Sequence, residues 1–220
     1  MKLKKVLIIG GLGNGSVIAN AILHANRLGY MEWVCEGFLN DHTPIGENID
    51  IFPVVGTLKQ VGEFLDKGYY FINTILRIDG QRERLDLFQS LEIPDDRLAT
   101  FVHPSAYVAP NVEFGPGTVI MPHVAISPGT RFGKGCLVMV AATIGHDNSF
   151  GDFCHIAAQS CVGSYLQVGK GVHFGLNSTI REHLTIGDYA TLGMGAVLTK
   201  DIGPKEIWIG NPARFLRFAK

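Results

Sequence analysis

The chain has 220 residues, of which 46% are hydrophobic and 18% charged, and its formal net charge is −1. This apolar content can bury a sizeable core and excludes a disordered chain. The near-zero net charge gives no sign of a surface for nucleic acid, and no nucleic-acid partner is expected. The length fits one or two domains.

The first residues resemble a secretion signal only superficially, with lysines ahead of an apolar run over 6–9. This run is too short for a signal peptide and ends in glycines, so it predicts a first β-strand. No stretch is long enough to span a membrane. None of the four cysteines forms a CxxC pair, which argues against a zinc–thiolate site. We expect a cytoplasmic protein with no membrane partner and no metal.

The first hundred residues alternate apolar strands with helical segments. Strands are predicted at 5–9, 32–39, 69–75 and 98–102, and helices at about 16–27, 58–67 and 80–91. Ser16 and Thr57 are the predicted N-caps of the first two helices. The alternation predicts a small Rossmann-like α/β domain over 1–101 with a parallel sheet.

A glycine-rich loop joins the first strand to the first helix. Gly10, Gly13 and Gly15 stand where backbone N–H groups can cradle a phosphate. Their spacing, G-x-x-G-x-G, differs from that of dinucleotide enzymes, and a purely structural tight turn is the alternative. Asp41 ends the second predicted strand, where an acid commonly binds a ribose or base.

The second half of the chain repeats every six residues. From Val102 to Leu198 each sixth residue is Val, Ile, Leu or Phe, 17 times without exception, and Gly follows in nine of these hexads. This period predicts a parallel β-helix with three hexads per coil, inward lead residues and small corner fillers. The pattern breaks at 203–204, and the tail to 220 is expected to contain a short helix carrying Arg214.

The hexads, the glycine-rich α/β domain and three short motifs together resemble the hexapeptide-repeat sugar acetyltransferases of the sialic acid O-acetyltransferase type. The motifs are 144–147 (IGHD), 153–155 (FCH) and 210–214 (GNPAR). The resemblance implies a left-handed β-helix over 102–220, a homotrimer with active sites between subunits, and acetyl-CoA as co-substrate. It also implies that the α/β domain binds a nucleotide sugar.

His146 is the candidate general base, because acetyl transfer from a thioester requires a group that removes a proton from the nucleophile. It follows the inward Ile144 by two places, at or near a corner. The resemblance implies that Asp147 holds the imidazole and raises its basicity. Consecutive strand residues point to opposite faces, so this contact needs a bend between the two. A solvated corner histidine is the alternative.

The resemblance assigns six further positions to acetyl-CoA. His155 lies half a coil from His146, so within one chain the two would be poor partners, whereas across a trimer interface they could approach. A histidine simply stacked on His173, 18 residues later, is the alternative for His155. The implied acetyl-CoA set is His155, Ser164, Leu176, Gly193, Met194 and Arg214.

The implied contacts to the nucleotide sugar all lie in the α/β domain. They are Gly10, Leu12, Gly13, Asn14, Gly15, Asn40, Asp41, Asn73 and Arg82. Two positions depart from the family pattern. Asn14 stands where a histidine is frequent, and Met139 stands where some members that acetylate amino sugars have Asn. Met139 weakens the case for a 4-amino sugar.

The resulting prediction is an acetyl-CoA-dependent N-acetyltransferase acting on a nucleotide-linked 4-amino deoxysugar. Acetylation of a sugar hydroxyl, as in sialic acid, is the close alternative. A non-catalytic β-helix binding protein is a third possibility, against which His146 and the glycine-rich loop argue. The γ-type carbonic anhydrases share the coil, but no two histidines here have their five-residue spacing.

Overall fold

A computed structural model describes residues 3–220. Its N-terminal part is a five-stranded sheet in the order β3-β4-β2-β1-β5, parallel except for the β3–β4 pair. The strands and helices of this part are β1 Lys4–Ile9, α1 Asn14–Arg27, β2 Trp33–Leu39, β3 Asn48–Ile49, β4 Phe52–Gly56, α2 Val61–Asp66, β5 Tyr70–Asn73 and α3 Gln81–Gln89.

Both faces of this sheet are covered, which explains the unbroken apolar sequence of β1. Val6 and Ile8 pack on one side with the buried face of α1, and Leu7 and Ile9 pack on the other with residues of α2 and α3. All four of these strand residues are fully buried. The alternation follows from the two-residue period of a strand.

From Phe101 onward the chain coils in two-residue strands. These are β6 Phe101–Val102, β7 Tyr107–Val108, β8 Glu113–Phe114, β9 Val119–Ile120, β10 Ala125–Ile126, β11 Arg131–Phe132, β12 Leu137–Val138, β13 Thr143–Ile144, β14 Ser149–Phe150, β15 His155–Ile156, β16 Cys161–Val162, β17 Gln167–Val168, β18 His173–Phe174, β19 Thr179–Ile180, β20 Thr185–Ile186, β21 Thr191–Leu192 and β22 Val197–Leu198. Two longer strands end the chain, β23 Glu206–Ile209 and β24 Arg214–Phe218.

The short strands stack into three parallel sheets, which we call the first, second and third faces. The first face starts with β6 and takes every third strand to β21, followed by β23 and β24; the second starts with β7 and the third with β8. Paired residues are 18 apart, as between Ile126 and Ile144. The predicted fold class, a left-handed parallel β-helix behind a small α/β domain, is confirmed.

The corners of the coil require backbone conformations that side chains rarely adopt. At most corners one residue has a positive φ, and at many of them this residue is not glycine, as at Ala141, Asp147 and Tyr165. Glycines after the inward residue serve a different purpose. A Cβ on Gly145 would lie 2.7 Å from backbone carbon and oxygen of the next coil, so coil stacking excludes a side chain there.

The small corner residues do more than fill space. Thr130 Oγ1 and Ser160 Oγ donate to the carbonyl oxygens of Gly145 and Gly175, at 2.9 and 3.0 Å. The thiols of Cys136 and Cys154 do the same toward Gly carbonyls on the next coil. Both cysteines are free and buried.

The α/β part packs directly on the coil. Phe88 of α3 meets Phe153 edge-on with ring centroids 5.7 Å apart, and the indole of Trp33 donates to the Thr100 carbonyl at 3.1 Å. Thr191 on the first face donates to the Ile78 carbonyl at 3.2 Å. These contacts fix the glycine-rich loop over the first face.

Two local predictions are wrong, and two strands were missed. Helix α1 starts at Asn14 with Gly13 as its N-cap, and the Ser16 hydroxyl instead donates to the Gly13 carbonyl at 3.1 Å. Strands β3 and β4 were not predicted. The tail forms a strand, β24, because it pairs antiparallel with β23, and Arg217 within it donates to Asp79 at 2.8 Å.

Candidate active site

A cavity of about 510 Å³ lies between the first face and the segments after β1 and β5. Four of the residues predicted to bind acetyl-CoA line it: His155, Leu176, Gly193 and Met194. Asn14 of the glycine-rich loop lines the same cavity. The remaining lining residues are Leu76, Arg77, Ile78, Gln81, Met139, Ala157, Ala158, His173, Gly175, Thr191, Ile207 and Ile209.

Two histidines on adjacent coils form the polar part of this cavity. His155 and His173 share a register position, with ring centroids 4.9 Å apart and Nδ1 atoms 2.9 Å apart. The Nδ2 atom of Asn14 lies 3.4 Å from Nε2 of His155. Burial and the neighbouring His173 lower the pKa of His155 to about 3, and burial lowers the pKa of His173 to about 4. Both rings are therefore neutral near pH 7.

His146 lies at the corner between the second and third faces, after β13. Its Nδ1 is 2.8 Å from Oδ2 of Asp147, and both side chains are about half exposed. The φ of Asp147 is +54°, which bends the chain so that consecutive side chains converge. The two side chains can therefore meet, although consecutive residues of a regular strand would point to opposite faces. A carboxylate accepts from Nδ1–H, which leaves Nε2 without a proton and able to accept one.

The coil above this corner supports His146 from its other side. The Ser164 hydroxyl accepts a hydrogen bond from the His146 backbone N–H at 3.1 Å. The Tyr165 ring meets the imidazole edge-on with centroids 4.9 Å apart and stacks on His183 at 4.7 Å. Tyr165 was not predicted, although it follows Asp147 by 18 residues, the spacing of one coil.

A second cavity of about 400 Å³ lies at the carboxyl ends of β1, β2 and β5. Gly10, Leu12, Asn40 and Asp41 from the predicted nucleotide-sugar set line it. The Asn40 side chain joins the two loops here, since its Nδ2 donates to the Gly10 carbonyl at 2.8 Å and its Oδ1 accepts from two backbone N–H groups. Asp41 Oδ1 accepts from the backbone of Leu58 at 2.8 Å.

The positively charged side chain that lines this second cavity, Arg84, was not predicted from the sequence. Arg84 of α3 lines it, whereas the predicted Arg82 is exposed on the same helix and does not. Since one helix turn is 3.6 residues, two positions move a side chain by about 200°, and only knowledge of how α3 packs selects between them. His42, Thr43 and Thr74 also line this cavity without having been predicted.

Several predicted residues lie outside both cavities. Gly15 is buried, and a Cβ there would meet Phe38 at 3.0 Å, so it is a packing position. Asn73 is buried and accepts from the backbone of Ile75 at 3.0 Å, and Gly13 caps α1. Arg214 is exposed on β24 and donates to the Ala213 carbonyl. Their predicted ligand contacts stay predictions.

Within residues 3–220, no group of three or more His, Cys, Asp or Glu side chains is arranged to hold a metal ion. Nor does this part of the chain contain a helix of the length and apolarity needed to cross a membrane.

Comparison with known proteins gives a consistent answer at the level of structure. No protein-family model and no curated protein matches the chain. The acetyltransferase domain of PglB from Neisseria gonorrhoeae is 28% identical, with a TM-score of 0.82 over 97% of this chain and 100% of that one. A mutant perosamine N-acetyltransferase from Caulobacter crescentus, solved with CoA and GDP-perosamine, is 25% identical, with a TM-score of 0.82 over 98% of both chains.

WeeI from Acinetobacter baumannii supports the fold. It is 21% identical, with a TM-score of 0.73 over 97% of this chain and 100% of that one. The coil and these similarities define the chain as an acetyltransferase enzyme built on a left-handed β-helix. More narrowly, its similarity is to the hexapeptide-repeat sugar acetyltransferases, the family that the sequence motifs resemble.

Proposed function

We propose that the enzyme transfers an acetyl group from acetyl-CoA to the amino group of a nucleotide-linked 4-amino deoxysugar. The observation that carries the proposal is the paired His146 and Asp147 at 2.8 Å on a chain that otherwise matches acetyltransferases over its length. The similarity to a perosamine N-acetyltransferase solved with CoA and GDP-perosamine supports this substrate class.

In the proposed reaction the sugar amine attacks the thioester carbonyl carbon directly. His146 Nε2 takes the amine proton while Asp147 keeps the other imidazole nitrogen protonated and the ring oriented. The tetrahedral intermediate then collapses, the C–S bond breaks, and the CoA thiolate leaves and is protonated. The products are the acetamido sugar and free CoA.

We assign the two substrates to the two parts of the chain. Residues 102–220 bind acetyl-CoA, with its acyl and pantetheine part in the larger cavity and Ser164 beside the base. The apolar wall of that cavity, which includes Leu176 and Met194, suits an uncharged chain. Residues 1–101 bind the nucleotide sugar, with the glycine-rich loop and Arg84 suited to its phosphates.

We further propose a homotrimer with active sites between subunits, in the cytoplasm. His146 lies on the corner between the second and third faces, whereas the larger cavity lies on the first face. One chain thus carries its base and its acyl-donor cavity on different sides of the prism. A neighbouring chain that brings its own corner to the cavity would complete the site.

The test is release of free CoA from acetyl-CoA over a panel of UDP-, GDP- and dTDP-linked 4-amino sugars, plus free sialic acid. We expect turnover on one amino sugar, with a loss of about 10²–10⁴-fold in His146→Ala. His123→Ala removes another exposed corner histidine and should retain activity. Activity on sialic acid alone would mean O-acetylation, and silence across the panel would favour a binding protein.

A further inference from the structure

Asn14, His155 and His173 form a continuous hydrogen-bonded chain between the glycine-rich loop and the coil. The contacts run from Asn14 Nδ2 to His155 Nε2 at 3.4 Å and from His155 Nδ1 to His173 Nδ1 at 2.9 Å. The two rings are 26° from parallel, and both line the larger cavity. His173 has no assigned role in the proposed mechanism.

The bond between the two Nδ1 atoms requires one proton between them. Both rings are held neutral because burial lowers the pKa of His155 to about 3 and that of His173 to about 4. A neutral imidazole carries a proton on one nitrogen only. Whichever ring donates through Nδ1 therefore has a bare Nε2, and the other ring has a protonated Nε2.

Asn14 decides which ring is the donor. Its Nδ2 faces His155 Nε2, and an amide N–H can only donate, so this Nε2 is the bare one. His155 then carries its proton on Nδ1 and gives it to His173. His173 is left protonated on Nε2. Asn14, at the loop position where the resembled family often has histidine, thus selects the tautomer of His155 through its side-chain amide.

We propose that His173 is a positioning residue that locks His155 in the Nδ1–H tautomer, with Nε2 free to accept an N–H from the acyl donor. The chemical class that fits is an uncharged secondary amide, of which a pantetheine arm carries two, because the cavity wall is mainly apolar. On binding, the ligand amide replaces the long 3.4 Å contact to Asn14. This inference rests on the proposed function for the identity of the ligand.

The tautomer is tested without ligand, by two-dimensional NMR of ¹⁵N-labelled imidazole rings, with His155→Asn used to assign the signals. The wild type should show His155 protonated on Nδ1 and His173 on Nε2. In His173→Phe the His155 ring should populate the Nε2–H form. In His173→Asn the side-chain oxygen can accept at the former Nδ1 position, so the wild-type tautomer should return.

Calorimetry then links the tautomer to binding. The dissociation constant for acetyl-CoA should rise about threefold to tenfold in His173→Phe and recover in His173→Asn, the effect of one neutral hydrogen bond. An Nε2–H form of His155 in the wild type, or a Phe variant with unchanged ring signals and affinity, would overturn the proposal. If the tautomers are as expected but acetyl-CoA does not bind, the proposed function fails instead, and with it the assigned ligand.

Discussion

Lowering the pH should destabilise this enzyme through His155 and His173, which are partly buried. The pKa values of about 3 for His155 and about 4 for His173 lie below the ordinary value of 6.5. Between pH 6.5 and 4 the unfolded chain therefore binds more protons than the folded one, and the free energy of unfolding falls as the pH falls. Above about pH 7.5 both rings are neutral in both states and contribute no slope.

The magnitude follows from the same shifts. At pH 5 an unfolded histidine is almost fully protonated while each buried ring is almost fully neutral, which costs about 2 kcal/mol per ring. The pair together should cost about 4 kcal/mol between pH 7 and pH 5. Such a loss is a large part of the 5–15 kcal/mol, roughly, that stabilises an ordinary domain.

The assay is urea unfolding at pH 7, 6 and 5 and at one fixed protein concentration. The double variant His155→Phe, His173→Phe should lose much less stability over this range than the wild type. His42→Gln removes an exposed histidine instead and should keep the wild-type slope. Equal slopes in the wild type and the double variant would refute the reasoning, whatever the absolute stability of the variant.

Two further substitution experiments test the coil and the proposed base. Gly151→Ala should lower the free energy of unfolding by about 1–3 kcal/mol in urea, because the new Cβ would lie 2.7 Å from the Lys170 backbone nitrogen. In the control Gly62→Ala, in α2, the Cβ meets nothing within 4 Å, so the free energy of unfolding should rise by about 0.5–1 kcal/mol. A reversed order of the two variants would contradict the stacking argument. Asp147→Asn keeps a residue that tolerates the positive φ at this corner. It should lower kcat by less than about tenfold, because the His146–Asp147 pair is half exposed. A loss as deep as that of His146→Ala would show that Asp147 does more than orient the ring.

The coil could be predicted from sequence because its period is enforced at every turn. A single inward position such as Ile144 or Phe150 must be apolar, and one inserted residue would turn every later side chain away from the core. The 18-residue coil follows from the same period, which is why the stack of His155 on His173 was foreseen as an alternative.

Predictions failed where local sequence offers no comparable constraint. Strand β4 contains Pro53 and ends at Gly56, so it has the composition of a loop, and its pairing with β2 and β3 makes it a strand. The presence of Arg84 in the second cavity depends on how α3 packs on the sheet. The contact of Asn14 with His155 depends on how the two folded parts dock. Spacing along the chain carries no information on that docking.

The separation of His146 from the larger cavity leads to a sharp test of the proposed assembly. His146→Ala removes the base, and Ala158→Trp fills the cavity on another side of the same chain. If each site joins the corner of one chain to the cavity of its neighbour, random mixing of the two inactive variants in equal amounts restores both functions at about a quarter of the sites.

Co-expressed variants should therefore regain about a quarter of the wild-type turnover, although either variant alone is inactive. A site built within one chain predicts no recovery, since every chain then carries a defect. Mixing His146→Ala with Asp147→Asn is the matched control. Both changes lie on the same corner, so mixing should give no more turnover than the Asp147→Asn chains supply by themselves. Recovery in the first mixture and not in the second would locate the base and the acyl donor on different subunits.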